Sequence, residues 1–131
     1  MRGGWVLLIL DTNVLIDAID GSARSKRALD AIGEELAATT SITIHELFCA
    51  DIPEKERFIL NGLLERMKVF DYDLAAAQAS SQIQRELKRQ DRMINVFDVL
   101  IAGVCKANDL KVLTFDKDFS KVRGLKCQIL A

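Results

Sequence analysis

Two kinds of hydrophobic spacing alternate along this chain: short solid apolar runs, and longer stretches with apolar residues every three or four positions. The first run, Val6-Leu7-Leu8-Ile9-Leu10, breaks abruptly into Asp11-Thr12-Asn13 before Val14-Leu15-Ile16 resumes the apolar pattern. A short aliphatic run beside Trp5 predicts a strand covered on both faces, as in a parallel sheet with helices on either side. Asp11 then stands where that strand ends. Ser22 and Ala23 open an amphipathic helix to about Leu36, with Ala28, Ile32 and Leu36 at core spacing and Arg24, Lys26 and Arg27 outside. Thr39 to Ile44, rich in β-branched residues, predicts a second strand that passes directly into a helix at His45-Glu46-Leu47-Phe48-Cys49-Ala50. Glu46, like Asp11, therefore follows a strand at the mouth of a helix.

Pro53 fits the first turn of a helix from about Glu54 to Met67. Its residues Ile59, Leu60, Leu63, Leu64 and Met67 make a broad apolar face, suited either to the core or to a dimer surface. Lys68-Val69-Phe70 predicts a third strand, and Asp73 the cap of a long helix to about Arg92. On that helix Ala76, Ala79, Ile83 and Leu87 share one side, while Arg85, Lys88, Arg89 and Arg92 share the other. The basic side is either a solvated face or a stripe for an RNA backbone or a partner. Asn95 caps a nearly all-apolar, buried helix to Asn108. Asp98 near its start is costly there unless a cation or hydrogen-bond donors accompany it. Lys111-Val112-Leu113-Thr114-Phe115 is a fourth strand ending in Asp116-Lys117-Asp118, and Lys126 to Leu130 is the last. Strands alternating with helices predict an α/β fold: one domain over residues 1–131, three-layer α/β/α, with a central, mostly parallel sheet of four to five strands.

Composition narrows the functions this fold can serve. Half of the 131 residues are hydrophobic, enough for one sizeable core. Eighteen Lys and Arg against nineteen Asp and Glu give a formal charge of -1, so a nucleic-acid partner has no broad basic field to meet and needs a local patch or a metal. The apolar stretch from Trp5 to Leu10 behind Arg2 is too short for an export signal, and no run approaches the ~20 apolar residues of a membrane helix. The expectation is a soluble cytoplasmic protein without a membrane partner. Cys49, Cys105 and Cys127 are odd in number and widely spaced, which fits reduced, packed thiols better than a disulfide frame or a zinc site.

Asp11, Glu46, Asp98 and Asp116 sit at strand-to-helix junctions or at a buried helix start, positions that a parallel sheet gathers on one edge. Crowded carboxylates raise one another's pKa values, so such a cluster implies protonation or a bound divalent cation, and oxygen-only ligands select Mg2+ or Mn2+. A cation so held orients a phosphodiester, acidifies a bound water and stabilises the leaving oxygen, so no side-chain nucleophile is required. The chain accordingly has neither a glycine-rich phosphate loop nor a Ser-His-Asp arrangement. Its single histidine, His45, reads as a solvated or packing residue rather than a catalytic one. Helix capping is the plain alternative for Asp11 and Asp98. Three further acids in matching positions weigh against it for Asp11, and the cap at Asn95 weighs against it for Asp98.

In this order, Asp11-Thr12-Asn13-Val14-Leu15-Ile16-Asp17, Glu46-Leu47, Asp98-Val99-Leu100-Ile101-Ala102 and Thr114-Phe115-Asp116-Lys117-Asp118-Phe119 resemble the successive signatures of the PIN-domain nucleases, VapC-type toxins above all. The resemblance implies helices sandwiching a parallel sheet, Mg2+- or Mn2+-dependent endoribonuclease activity on an RNA substrate, a homodimer, and a small antitoxin whose tail fills the active-site groove. It makes Asp11, Glu46, Asp98 and Asp116 the catalytic, metal-binding acids and Asn13 and Thr114 the residues that steady them, with Asp118 replacing or assisting Asp116. Asn95-Val96-Phe97 departs from the many members that carry proline or an extra acid there, which leaves one ion or two open. An RNA-processing nuclease of the same family outside a toxin pair is the neighbouring alternative. A domain that binds RNA or protein without cutting is a further one, although keeping all four acids costs phosphate affinity. A phosphatase of the dehalogenase type is disfavoured, because Asn13 stands where a second aspartate is needed, and the late-strand lysine of a receiver domain is missing.

Overall fold

Leu8 and Leu10 face one side of the first strand and Ile9 the other, and all three are sealed from solvent, so this strand must be covered twice. The computed structural model describes residues 7–20 and 36–130, together with Arg27 and Asp30. Within them the chain runs β1 (Leu7–Leu10), α1 (Thr12–Ile19), β2 (Leu36–Thr40), α2 (Ser41–Cys49), α3 (Glu54–Leu64), β3 (Lys68–Phe70), α4 (Leu74–Arg89), α5 (Val96–Ala107), β4 (Lys111–Thr114), a 3-10 turn (Lys117–Lys121) and β5 (Cys127–Ile129). The strands form one sheet in the order β3-β2-β1-β4-β5, and every neighbouring pair is parallel. Ile9 stands beside Ala38 on one flank and Val112 on the other. Leu8, Leu10 and Leu113 pack with Val14, Leu15, Leu47 and Leu60 from α1–α3. Ile9, Ala38 and Val112 pack on the opposite side with Ile83, Leu87, Val99, Ile101 and Ala102 from α4 and α5. The three layers of the sequence reading are therefore present, on a sheet that is parallel throughout.

Two of the differences from the boundaries the sequence predicts have a clear local reason. The second strand is Leu36–Thr40 rather than Thr39 to Ile44, because the Thr40 hydroxyl accepts a bond from the Thr43 amide at 3.0 Å and starts a helix that overrides the β-branched run. Glu46 consequently lies in the second turn of α2 instead of at its mouth. The long helix stops at Arg89 and not at Arg92. Asp91 takes a left-handed conformation at φ 54°, and the Arg92 amide returns to the Leu87 carbonyl at 2.9 Å, a Schellman-type closure. The helix expected from Ser22 and Ala23 to Leu36 falls almost wholly outside the described residues; Leu36 itself opens β2. On α3, Leu60 is buried and Leu64 packs on the core, whereas Phe58, Ile59 and Leu63 are exposed, Phe58 by 80%. The face expected there is thus divided between core and surface.

Helices α4 and α5 form the tightest helix pair, and Gly103 permits it. A Cβ at that position would lie 2.5 Å from the Ser80 Cβ and 2.8 Å from the Ala76 carbonyl oxygen. Because a helix backbone cannot yield as a flexible side chain can, Gly103→Ala is expected to destabilise the protein by about 1–3 kcal/mol, read as a lower urea midpoint. An unchanged midpoint would show that the two helices separate at little cost.

Candidate active site

In a parallel sheet of this order the chain leaves β1 toward β2 and β3, then crosses to β4 and β5, so a crevice opens beyond the carboxyl ends of β1 and β4. Asp11 follows β1 directly, and its amide donates to the Leu113 carbonyl of β4 at 3.0 Å. Its carboxylate divides its two oxygens. Oδ1 accepts from the Thr12 amide at 2.8 Å, capping α1, and Oδ2 accepts from the Thr114 hydroxyl at 2.7 Å. Asp11 thus caps α1 and lines the cleft at once, where the sequence posed capping and a site role as alternatives. The Thr114 oxygen in turn accepts from the Asp116 amide at 2.9 Å, so one buried hydroxyl ties the acid after β1 to the loop after β4.

Glu46 reaches the same place from α2. Its Oε1 accepts from the Thr12 hydroxyl at 2.8 Å. Asp98 arrives from the first turn of α5, whose cap is Asn95: the Asn95 Oδ1 accepts from the Phe97 amide at 2.8 Å, which frees Asp98 from capping. Asp11, Thr12, Asn13, Glu46, Asn95, Asp98 and Asp116 together line an open cleft of about 230 Å3. All four acids are thus brought together, by four different segments. Asp118 is set apart from them. It does not line the cleft, its amide donates to the Asp116 Oδ1, and its carboxylate pairs with Lys121 at 2.9 Å. Arg85, Lys88, Arg89 and Arg92 are exposed and outside the cleft as well.

Among the polar residues, Thr114 makes the bond that steadies an acid. Asn13 lines the cleft, but the hydroxyl that holds Glu46 belongs to Thr12. Thr12 and Asn95 are cleft residues that the sequence reading did not single out for the site. The signals were available: Thr12 is the first helical residue after a strand-terminal acid, and Asn95 precedes Asp98 by one helical turn.

The electrostatics follow from the crowding. Burial, and then the charges of Asp11, Asp116 and Glu46, push the Asp98 carboxyl up to about 8; a hydrogen bond shared with Asp116 acts in the same direction. Asp11 is also raised, chiefly by burial, against the opposing bonds from Thr114 and Thr12. At neutral pH Asp98 therefore keeps its proton while no cation is near. The donor set is all oxygen, and its carboxylates are too crowded and buried to ionise together unaided, which suits a hard divalent cation. No three of the described His, Cys, Asp or Glu side chains form a finished metal cage as they stand. The carboxylates line the walls, and mutual repulsion opposes their closing on one point without a cation.

A parallel α/β sheet with an acidic cleft at its switch point defines a class, and the comparisons name it. The chain belongs to the PIN domain family, whose sequence model matches residues 8–125. The tRNA(fMet)-specific endonuclease VapC of Shigella flexneri is 33% identical over 125 residues, 92% of this chain and 95% of that protein. The DNA-bound VapBC of Salmonella typhimurium is similar in structure, with a TM-score of 0.79 and 27% identity over 95% of this chain and 98% of that one. VapBC2 of Rickettsia felis, bound to a promoter DNA fragment, has a TM-score of 0.81 over 96% and 100% of the two chains; at 21% identity it supports the fold alone.

Proposed function

We propose that this protein is a divalent-cation-dependent endoribonuclease, the toxin of a VapBC-type pair, that hydrolyses RNA phosphodiesters in the cleft formed by Asp11, Glu46, Asp98 and Asp116. The observation that carries it is the gathering of these acids, from four separate segments, beyond the carboxyl ends of β1 and β4. The curated relative named an endonuclease matches along nearly the whole chain and supports the same reading. The four carboxylates would hold Mg2+ or Mn2+, which supplies a Lewis acid for the phosphodiester and a means to acidify water.

The protein's own residues do the rest. Thr114 fixes the Asp11 carboxylate and Thr12 fixes Glu46, so neither needs to be oriented when substrate arrives. Asp98 carries a proton that it surrenders when positive charge enters. Among the described residues the cleft is lined by carboxylates, one hydroxyl and two amides, with no histidine, lysine or cysteine, so water is the nucleophile best supplied. Asp118, neutralised by Lys121, is read as outside the ligand set. Arg85, Lys88, Arg89 and Arg92 meet RNA phosphates only beyond the cleft. The exposed Phe58, Ile59 and Leu63 of α3 offer apolar surface to a second copy or an antitoxin. Among the described residues no helix is long and apolar enough to cross a membrane.

Incubation of the purified protein with a structured RNA tests the assignment. Cleavage is expected with Mg2+ or Mn2+ and is expected to stop with EDTA; intact RNA at every cation concentration would refute it. Proton release gives a second, activity-free check. Titrating Mn2+ at pH 7 is expected to displace the Asp98 proton, so the measured heat differs between buffers of different ionisation enthalpy. Equal heats in such buffers would show that no proton leaves.

A further inference from the structure

His45 and Phe97 occupy the positions immediately before Glu46 and Asp98, on the same two helices that bring those acids to the cleft. Their rings meet across the gap between α2 and α5, with centroids 5.7 Å apart and planes inclined by 35°. The His45 Nε2 also lies 3.7 Å from the Cys49 Sγ one turn along α2, so the ring is held at its edge as well as by its neighbour. Yet His45 is exposed. Phe48, three residues on and on the same side of α2, is 53% exposed, and Val96 beside Phe97 is open to solvent. Phe97 is half-buried, but His45 and Phe48 stay exposed on the same side of α2, which core packing explains poorly, because burying these rings would stabilise the fold.

We propose that the His45–Phe97 pair is a stacking platform for an unpaired nucleobase next to the scissile phosphate. The inference rests on reading the cleft as a site of RNA cleavage. Four acids attract no phosphate unaided, and the described cleft lining contains no basic side chain to anchor a strand. Stacking on an aromatic face provides affinity that does not depend on charge, and an unpaired base is free to offer that face, whereas a base inside a duplex has both faces covered by its neighbours.

The test uses the full-length protein in EDTA, where nothing is cut, and a short single-stranded oligoribonucleotide carrying 2-aminopurine. Binding is expected to quench the fluorescence. His45→Ala and Phe97→Ala are each expected to weaken binding about ten-fold, and His45→Tyr to restore it. With Mn2+ present the alanine variants are expected to raise KM while kcat and the affinity for Mn2+ stay as in the parent. Quenching that survives His45→Ala, or a loss that His45→Tyr does not repair, overturns the platform. A fall in kcat at constant KM overturns it in favour of a role in the chemistry. Intact oligonucleotide binding with altered self-association on gel filtration overturns it in favour of a protein interface. Because quenching is read without cleavage, a protein that stacks the base but never cuts would leave the platform standing and refute the nuclease reading alone.

Discussion

Asp11→Asn is expected to lower RNA cleavage by on the order of 10^3-fold while leaving the fold intact. The two consequences separate because Asp11 has two jobs. As a helix cap it accepts from the Thr12 amide, and asparagine caps about as well as aspartate, so α1 keeps its start. As a cleft residue it provides negative charge, and asparagine provides none. Several kcal/mol of charge stabilisation withdrawn from a metal-assisted transition state corresponds to roughly a thousand-fold in rate. Asp11→Ala mixes both losses and is the less informative variant. Asp98→Asn is expected to match Asp11→Asn in rate, since the Asn95 cap leaves Asp98 no structural duty at the helix start. Thr114→Val removes a single hydroxyl that donates to Asp11 and accepts from the Asp116 amide; a loss of about 10–100-fold is expected. Asp118→Asn, outside the cleft and paired with Lys121, is expected to change little. The measurement is initial cleavage rate at saturating Mn2+, beside a thermal melt of each variant. Full activity in Asp11→Asn and Asp98→Asn would sink the assignment of the cleft.

Much of this arrangement was legible in the residues because the informative signals were local. The solid run ending at Asp11, the β-type segment ending at Thr114 and the all-apolar helix with one acid at Asp98 each break a simple pattern at the point where the site begins. The parallel sheet then gathers those breaks on one edge without further information. Glu46 is the instructive case. The sequence placed it at a helix mouth, whereas it sits a turn further in, and it reaches the cleft all the same because α2 packs against α1 and the Thr12 hydroxyl bonds to it. That bond joins residues 34 positions apart, and no spacing rule announces it. Asp116 and Asp118 show the same limit. Two acids in one short loop are equivalent by pattern, and only the 3-10 turn, which folds Asp118 onto Lys121, distinguishes them. The helix that stops before Arg92 depended on a left-handed Asp91, a backbone state that aspartate adopts more readily than most residues but does not advertise.

Stability of the cation-free protein is expected to fall as pH rises from about 4 to about 8. The sign follows from Asp98. Unfolded, its carboxyl ionises near 3.8; folded, burial and the neighbouring acids hold the proton until about 8. Between those values the folded state binds more protons than the unfolded state, so each unit of pH favours unfolding, by at most about 1.4 kcal/mol for one such proton. Asp11, raised in the same direction, steepens the trend. Above pH 8 Asp98 is ionised in both states and contributes no further slope. Melting temperatures recorded in EDTA across this range measure the effect, and for a chain of this length each kcal/mol moves the midpoint by roughly 3–6 °C. Asp98→Asn is expected to flatten the profile and to raise the melting temperature at pH 8, because the amide needs no proton and adds no charge to Asp11, Glu46 and Asp116. Mn2+ is expected to flatten it for a different reason, by compensating the charge that otherwise accumulates, and so to stabilise the parent more at pH 8 than the asparagine variant. The same substitution thus strengthens the fold and disables the site. A parent protein whose stability is level from pH 4 to 8 in EDTA, or an Asp98→Asn variant that melts lower than the parent at pH 8, would show that the four acids are not under mutual repulsion. The cluster would then have no electrostatic reason to take up a cation.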